Sequence, residues 1–152
     1  MAGQERSLNI PPLYFLAALL LMALLHQVLP LAQILFAPYR YAGIVLMALA
    51  VAFILWAVLL FRRARTGIVP FSPATALVLG GPYRFTRNPM YLGMAGTLLG
   101  AALLMGSLSP FAVIPAFMAL IADRFIAPEE AMLERAFGRE YLDYKAKVSR
   151  WL

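Results

Sequence analysis

The sequence predicts an all-α, polytopic membrane protein with about four transmembrane helices and a C-terminal amphipathic helix at the cytoplasmic face. Composition is the first reason: 63% of the 152 residues are hydrophobic and 13% are charged, whereas soluble domains average about 25% charged residues. The second reason is that the apolar residues form runs of roughly 20, the length that crosses a bilayer. The third is that basic residues flank these runs mainly on one side. The length allows one domain, residues 1–152.

Four apolar runs are predicted to span the membrane. The first two are residues 13–36 and 41–61, and Pro30 is expected to kink the first of them. The first run is too long for the core of a signal peptide and lacks a small-residue cleavage site, so it is predicted to be retained. The third and fourth runs are residues 90–108 and 110–126.

The segments outside the runs have different compositions. Residues 66–89 are rich in proline and glycine, which predicts a loop with a short interfacial helix around residues 74–79. Pro128 indicates a kink or a new helix start, and Gly138 a break in the tail. Residues 129–148 are predicted to be an amphipathic helix, because apolar side chains recur at helical spacing. This apolar stripe consists of Leu133, Phe137, Tyr141, Tyr144 and Val148.

The basic residues predict the orientation of the chain. With four spans, both termini and the long loop share one side, and only Arg40 falls in a loop on the other side. The positive-inside rule therefore predicts cytoplasmic termini. Abundant Arg, Ala and Leu suggest a prokaryotic protein, and hence the inner (plasma) membrane. The net charge of +6 fits topology and anionic headgroups, so no nucleic-acid partner is expected.

Several kinds of site are excluded or not expected. The chain has no cysteine, which excludes disulfides, thiolate nucleophiles and cysteine-ligated metals. With His26 as the single histidine, no metal site is expected. His26 is interpreted as a packing or interfacial polar residue, and Asp123 and Arg124 as residues that pair with neighbours or extend to the interface. Walker, dinucleotide-binding and Ser-His-Asp motifs are absent from the sequence.

The first candidate site lies at the start of the third span. Asn88 precedes Pro89 and is placed to cap the helix. The free N–H groups of that helix end, together with Arg87, would attract an anionic group. The alternative interpretation is a helix cap with a positive membrane anchor. Further along the helix, Gly93, Gly96 and Gly100 form a bare face, typical of close helix packing, which also permits a homodimer or ligand contact.

The second candidate site is the pair Glu129 and Glu130, just past the fourth span. Acidic residues are costly near lipid and are often functional there, although a solvated turn is the alternative. Arg87 and Asn88 suit an anionic group, whereas a carboxylate suits a cation. Since both places lie at the cytoplasmic ends of neighbouring helices, the sequence predicts a site for a zwitterionic ligand.

A set of motifs runs through the C-terminal half. In order, they are Gly81-Pro82-Tyr83-Arg84, Arg87-Asn88-Pro89-Met90-Tyr91, Glu129-Glu130 with Leu133, and Phe137-Gly138-Arg139-Glu140-Tyr141 with Tyr144. In order and spacing they resemble the isoprenylcysteine carboxyl methyltransferase and phospholipid methyltransferase superfamily of integral membrane enzymes. The resemblance covers residues 66–152, the expected cofactor-binding half, whereas the two spans in residues 13–61 match only in being hydrophobic.

The resemblance implies a methyltransferase that uses S-adenosylmethionine. The implied cofactor-binding residues are Arg87, Asn88, Tyr91, Gly93, Glu129 and Glu130. Arg87 and Glu130 are the implied catalytic residues, and Glu130 would accept a proton from an amine substrate. The carboxyl methyltransferases usually have His where this chain has Asn88, so the cofactor transfers more directly than the prenylcysteine substrate.

The implied methyl acceptor is a lipid or a lipophilic small molecule that enters from the membrane, either isoprenylcysteine carboxylate-like or phospholipid amine-like. A carboxylate or thiolate acceptor would need no general base, whereas an amine would have to arrive neutral. Two alternatives stay open. One is a non-enzymatic helical scaffold or transporter subunit, and the other is a nicotinamide-dependent reductase of related fold. Binding of S-adenosylmethionine would separate the three.

Overall fold

The computed structural model describes residues 10–64 and 76–152, which are helical apart from turns and connecting segments. Its helices are α1 (Pro11–Val28), α2 (Ala42–Arg63), α3 (Pro89–Met105), α4 (Val113–Ile121), α5 (Ala127–Phe137) and α6 (Arg139–Lys147). A π-helical segment, Ala122–Ile126, joins α4 to α5. Three short 3-10 turns complete the elements: Tyr39–Tyr41, Gly81–Arg84 and Ser109–Ala112. The all-α prediction is confirmed.

Within residues 10–64 and 76–152, three helical stretches are long and apolar enough to cross a membrane by length and composition. They are Pro11–Val28, Tyr39–Arg63 and Ser109–Phe137. The shorter α3, with 17 residues, is apolar as well. Only 11% of the window in Tyr39–Arg63 is buried inside the protein, so most of its apolar side chains are left for lipid. Because a helix satisfies its own backbone, these segments suit a bilayer, and the prediction of an integral membrane protein is confirmed.

Helix α1 is shorter than the first predicted span, the apolar run of residues 13–36. Helix α1 ends at Val28, where the N–H of Leu29 bonds to the carbonyl of Leu25 at 2.9 Å. Pro30 has no N–H and disfavours helical geometry at the residue before it. The predicted kink at Pro30 is therefore wrong, since the helix ends before this proline.

Two other predicted boundaries differ from the structure. The interfacial helix expected at residues 74–79 is wrong over residues 76–79, which are not helical, and residues 74–75 lie outside the described part of the chain. The fourth apolar run does not end at 126, because helical structure continues through the π segment into α5. Pro128 lies in the first turn of α5, directly after the π segment and inside the continuous helical stretch Ser109–Phe137. The predicted new helix at Pro128 therefore corresponds to the change from π to α geometry.

The chain divides into two compact units. The first comprises the described residues of Met1–Ala48 together with Ala95–Ile121. In this unit His26 Nδ1 is 2.7 Å from Ser107 Oγ, which supports the interpretation of His26 as a packing residue. Close helix packing also occurs here, because a Cβ at Gly100 would come within 2.7 Å of the carbonyl oxygen of Gly43.

The second unit comprises the described residues of Leu49–Met94 together with Ala122–Leu152. Its core contains the buried Ala57, Tyr83, Tyr141 and Tyr144. Around them pack Leu133, Phe137 and Val148, so all five residues of the predicted apolar stripe are part of one core. The predicted break at Gly138 is confirmed, because this residue has φ +52° and separates α5 from α6.

Candidate functional site

A tight turn leads the chain toward α3. Gly81 has φ +58°, and a Cβ there would lie 3.2 Å from ring atoms of Trp56 and closer still to Leu60. Glycine alone suits both the conformation and the space. Pro82 and Tyr83 follow and are buried. The turn thus anchors the segment that presents Thr86, Arg87 and Asn88.

Asn88 occupies the position immediately before α3. The N–H of Leu92 donates to the Asn88 carbonyl at 2.9 Å, and the N–H of Asn88 donates to Thr86 Oγ1 at 3.1 Å. Pro89 begins the helix, as predicted, because a residue at the first helical position needs no N–H. The Asn88 side chain donates from Nδ2 to the Arg150 carbonyl at 3.0 Å. It therefore binds the C-terminal segment.

The two acidic residues lie in the first turn of α5, directly after the π segment. Single π turns are frequent at functional sites. Glu130 is 6% exposed, and Glu129 is half-buried. By contrast, Asp123 and Arg124 of the π segment are exposed. The acidic pair is therefore partly or fully buried within the second unit, whereas Asp123 and Arg124 of the same unit are exposed.

Glu130 is paired with two arginines. Arg150 donates from Nε to Oε1 at 3.0 Å and from Nη2 to Oε2 at 2.7 Å. Arg87 Nη2 lies 3.3 Å from Oε1. Such forked, charge-assisted contacts are strong and geometrically specific. The hydrogen bond to Glu130 raises the pKa of Arg150 above its ordinary value. We call Arg87, Glu130 and Arg150 the arginine–glutamate cluster.

Arg87 has donors that nothing in the described chain satisfies. Its side chain is 9% exposed, yet Nε and Nη1 are buried without a hydrogen-bond partner in residues 10–64 and 76–152. Buried polar groups in proteins are almost always paired, and an unpaired one requires an explanation. A guanidinium with two free, buried donors is suited to bind an anionic group such as a carboxylate.

Glu129 has a different partner from its neighbour. The hydroxyl of Tyr91 donates to Glu129 Oε1 at 3.0 Å. The Tyr91 ring also lies 6.5 Å from the ring of Phe125, centroid to centroid. Within the described residues, no arginine or lysine forms an ion pair with Glu129 at 4 Å or less. A negative charge in this half-buried setting can accept a cation.

A C-terminal strap, residues 148–152, lies along the segment before α3. The N–H of Arg87 donates to the Ser149 carbonyl at 3.0 Å, and Thr86 Oγ1 donates to the Arg150 carbonyl at 3.1 Å. Asn88 Nδ2 also donates to the Arg150 carbonyl. Three consecutive residues therefore hold two consecutive carbonyls of the strap. This arrangement places the Arg150 side chain against Glu130.

Three tyrosines in the core of the second unit lie next to the site. The Tyr144 hydroxyl donates to the Tyr83 carbonyl at 2.7 Å. Burial raises the pKa of both phenols above the ordinary value, so both stay protonated. Tyr141 is 1% exposed; burial and Glu130 raise its pKa, whereas neighbouring Arg87 lowers it. The apolar stripe of α5 and α6 therefore also carries polar groups into the site.

The structure brings most of the predicted site residues into contact in pairs. Arg87 meets Glu130, Tyr91 meets Glu129, and Asn88 meets the strap. Gly93 is different, because a Cβ there would overlap Ile54 and lie 3.1 Å from the Ala50 carbonyl. Its close neighbour is therefore α2. The assignment of these residues to cofactor binding stays a prediction.

Sequence reasoning missed Arg150 and Thr86. In the sequence, Arg150 cannot be distinguished from the other basic residues of the tail, because its type and position resemble theirs. Its contacts to Asn88 and Thr86 bridge 62 and 64 residues of sequence, so no local spacing signals them. The order of the motifs indicates at most that the tail returns to the start of α3.

Comparison with known proteins identifies a family for this chain. The chain matches the family model described as Phospholipid methyltransferase over residues 39–140. It is also 41% identical over 63 residues to an uncharacterized protein of Haemophilus influenzae, in an alignment that covers 41% of this chain and 100% of that protein. No solved structure matches the chain significantly.

The fold and site define an integral membrane protein of apolar helices with a buried arginine–carboxylate centre. The family match covers more than half of the chain. The chain belongs to the phospholipid methyltransferase family, and is therefore a member of a family of membrane methyltransferases. This confirms the superfamily indicated by the sequence motifs.

Proposed function

We propose that this protein is an S-adenosylmethionine-dependent methyltransferase whose acceptor is a lipid or a lipophilic small molecule. The family and the apolar helices support a membrane methyltransferase. S-adenosylmethionine would supply an electrophilic methyl group on a sulfonium, next to a carboxylate and an ammonium. The protein's task is then to bind and orient the reactants.

The observation that carries this proposal is the pair of free donors on Arg87. Nε and Nη1 are buried and unpaired within the described residues. They lie on different edges of the guanidinium, and one of them would donate to the carboxylate of the cofactor. The same guanidinium is fixed by its contact of 3.3 Å with Glu130. Pre-positioned donors lose little freedom when a ligand binds, which favours affinity.

Glu129 is the carboxylate best placed to bind the cationic part of the ligand. It accepts a hydrogen bond from the Tyr91 hydroxyl at 3.0 Å and has acceptor capacity left. Glu130, by contrast, is paired with two arginines. We therefore assign Glu129 to the ammonium or sulfonium and Glu130 to holding Arg87. Proton acceptance by Glu130 from an amine acceptor would require it to leave an arginine.

The methyl acceptor is proposed to approach from the lipid phase. Most of the apolar surface of α2 is unburied within the protein, so lipid surrounds it. The chemistry of the site suits either an isoprenylcysteine-like carboxylate, which needs no general base, or a phospholipid-like amine. The cofactor would arrive from the cytoplasmic side, where the termini are proposed to lie.

Calorimetry on detergent-purified protein tests the proposal. We expect S-adenosylmethionine and S-adenosylhomocysteine to bind, and Glu129→Gln to weaken both by about tenfold or more, because a charged contact is lost. The matched control is Glu134→Gln, which removes a half-exposed carboxylate 3.7 Å from Lys145. An absence of binding at millimolar ligand would refute the proposal. Binding of a nicotinamide cofactor instead would favour a reductase. If neither cofactor binds, a non-enzymatic scaffold is favoured.

A further inference from the structure

Arg150 governs how much of Glu130 is available to Arg87. Its Nε and Nη2 contact the two different oxygens of the carboxylate, at 3.0 and 2.7 Å. Arg87 is left with one longer contact to this carboxylate, from Nη2 to Oε1 at 3.3 Å. The fork of Arg150 therefore occupies the geometry that Arg87 would otherwise adopt.

The charges of the cluster point in the same direction. Two guanidinium groups and one carboxylate leave a net charge of +1. Without Arg150, Glu130 would neutralise Arg87 completely. A buried guanidinium would then turn to form a two-point pair with the carboxylate, because an unpaired buried donor is costly. That rearrangement would consume Nε or Nη1.

We propose that Arg150 is a positioning residue that keeps Arg87 directed at an anionic group of the ligand. By taking both oxygens of Glu130, it leaves two donors of Arg87 free and the cluster positive. The inference rests on the proposed function, in which that anionic group is the carboxylate of the cofactor. It assigns the C-terminal strap to the binding site.

The backbone of the strap holds Arg150 in place. The Arg150 carbonyl accepts from Thr86 Oγ1 at 3.1 Å and from Asn88 Nδ2 at 3.0 Å. The Ser149 carbonyl accepts from the Arg87 N–H at 3.0 Å. Arg87 and Arg150 are thus connected in two ways: through the hydrogen bond from the Arg87 N–H to the strap, and through Glu130.

Lysine is expected to replace Arg150 only in part. A lysine ammonium carries the same charge but is a compact point charge without a planar fork. It would keep the cluster positive yet could not hold both oxygens of Glu130 in fixed geometry. Arg150→Lys therefore separates the contribution of charge from that of the fork.

The test compares two ligands that share an adenosine group but differ in the amino-acid part. S-adenosylhomocysteine has the carboxylate, and 5′-methylthioadenosine lacks it. We expect Arg150→Gln to raise the Kd of S-adenosylhomocysteine by about tenfold to a hundredfold, with little change for 5′-methylthioadenosine. Arg150→Lys should give an intermediate loss. Arg139→Gln, at an exposed arginine of α6, is the matched control and should change neither.

The outcomes separate this inference from the proposed function. If the unaltered protein binds neither ligand, the proposed function fails and the inference with it. If it binds S-adenosylhomocysteine and Arg150→Gln binds equally well, only the positioning role is refuted. Equal weakening of both ligands would show a merely structural role and also refute it. Should Arg150→Gln not fold, Arg150→Lys carries the same comparison, with the loss again confined to S-adenosylhomocysteine.

Discussion

Two adjacent glutamates of identical chemistry have different surroundings. Glu130 is nearly buried and is paired with Arg87 and Arg150, whereas Glu129 is half-buried beside the Tyr91 hydroxyl. Burying a charge is costly unless hydrogen bonds and an opposite charge compensate for it. The proposal therefore assigns ligand contact to Glu129 and stabilisation of the site to Glu130.

Removal of Glu130 should be strongly destabilising. Glu130→Ala leaves Arg87, which is 9% exposed, without an ion-pair partner among the described residues. Breaking a buried pair in this way costs about 3 kcal/mol. The expected result is a clear fall in the midpoint of thermal unfolding, measured in detergent by circular dichroism.

Glu134→Ala serves as the control for that measurement. Its pair with Lys145 has a separation of 3.7 Å and both side chains are more than a third exposed, so its loss should cost less than about 1 kcal/mol. Similar midpoints for the two variants would contradict the structural role assigned to Glu130.

At the residue scale, the sequence allowed the ionic groups of the site to be predicted, but not all of their partners. Arg87, Asn88, Glu129 and Glu130 are recognisable because charged or polar residues at the end of an apolar run need a reason. The role of Arg150 was unpredictable, because its contact with Asn88 spans 62 residues. Whether Arg150 pairs with Glu129 or with Glu130 also depends on tertiary structure.

At the element scale, the glycines of α3 lie against α2. Gly93 faces Ile54 and Ala50, and Gly100 faces Gly43, each within its own compact unit. Small residues allow two backbones to approach closely, which is how helices associate in a bilayer. The packing interpretation is confirmed at both positions. A homodimer through this face stays an untested prediction.

A methyl group at Gly100 should disturb this packing. In Gly100→Ala the new Cβ would lie 2.5 Å from Met47 Cγ and 2.7 Å from the Gly43 carbonyl oxygen. Because one neighbour is backbone, α2 and α3 would have to separate, at a cost of about 1–3 kcal/mol. A lower unfolding midpoint in detergent is expected.

Gly80→Ala is the matched control for the glycine experiment. A Cβ at Gly80 would have nothing within 4 Å, and its φ of −91° is accessible to alanine. Its free energy of unfolding should stay within about 0.5 kcal/mol of that of the unaltered protein, so the unfolding midpoint should hardly move. If Gly100→Ala were equally harmless, the close approach of the two helices would be in doubt.

The helices were easier to predict than their ends. The apolar runs identified α1 and α2 because length and hydropathy are the signals that the bilayer imposes. They did not show that α1 ends at Val28, since hydrophobicity continues past the proline that stops the helix. The π segment Ala122–Ile126 also escaped prediction, because no residue type specifies a π turn.

At the scale of the whole molecule, orientation is the main untested property. Basic residues gather in the loop before α3 and in the tail, whereas Arg40 lies between α1 and α2. The positive-inside rule relates such a bias to the cytoplasmic side. We therefore expect the tail to lie in the cytoplasm and the Tyr39–Tyr41 turn on the opposite side.

Cysteine labelling can test this orientation, because the chain has no cysteine of its own. Tyr39 is 75% exposed, and Tyr39→Cys should react with a membrane-impermeant maleimide applied to intact cells. Lys147→Cys, exposed in α6, should react only after permeabilisation. The unaltered protein is the blank. Reversed accessibility would mean that the tail lies outside and that the cofactor could not reach the site from the cytoplasm.

The C-terminal strap has an optical consequence. It contains Trp151, which directly follows Arg150, and the chain has only one other tryptophan, Trp56 of α2. Replacing Trp56 by phenylalanine would leave a protein whose indole emission comes from the strap alone. The segment that pairs with Glu130 therefore carries a native fluorophore one residue away from the contact, and its surroundings can be followed without an added dye.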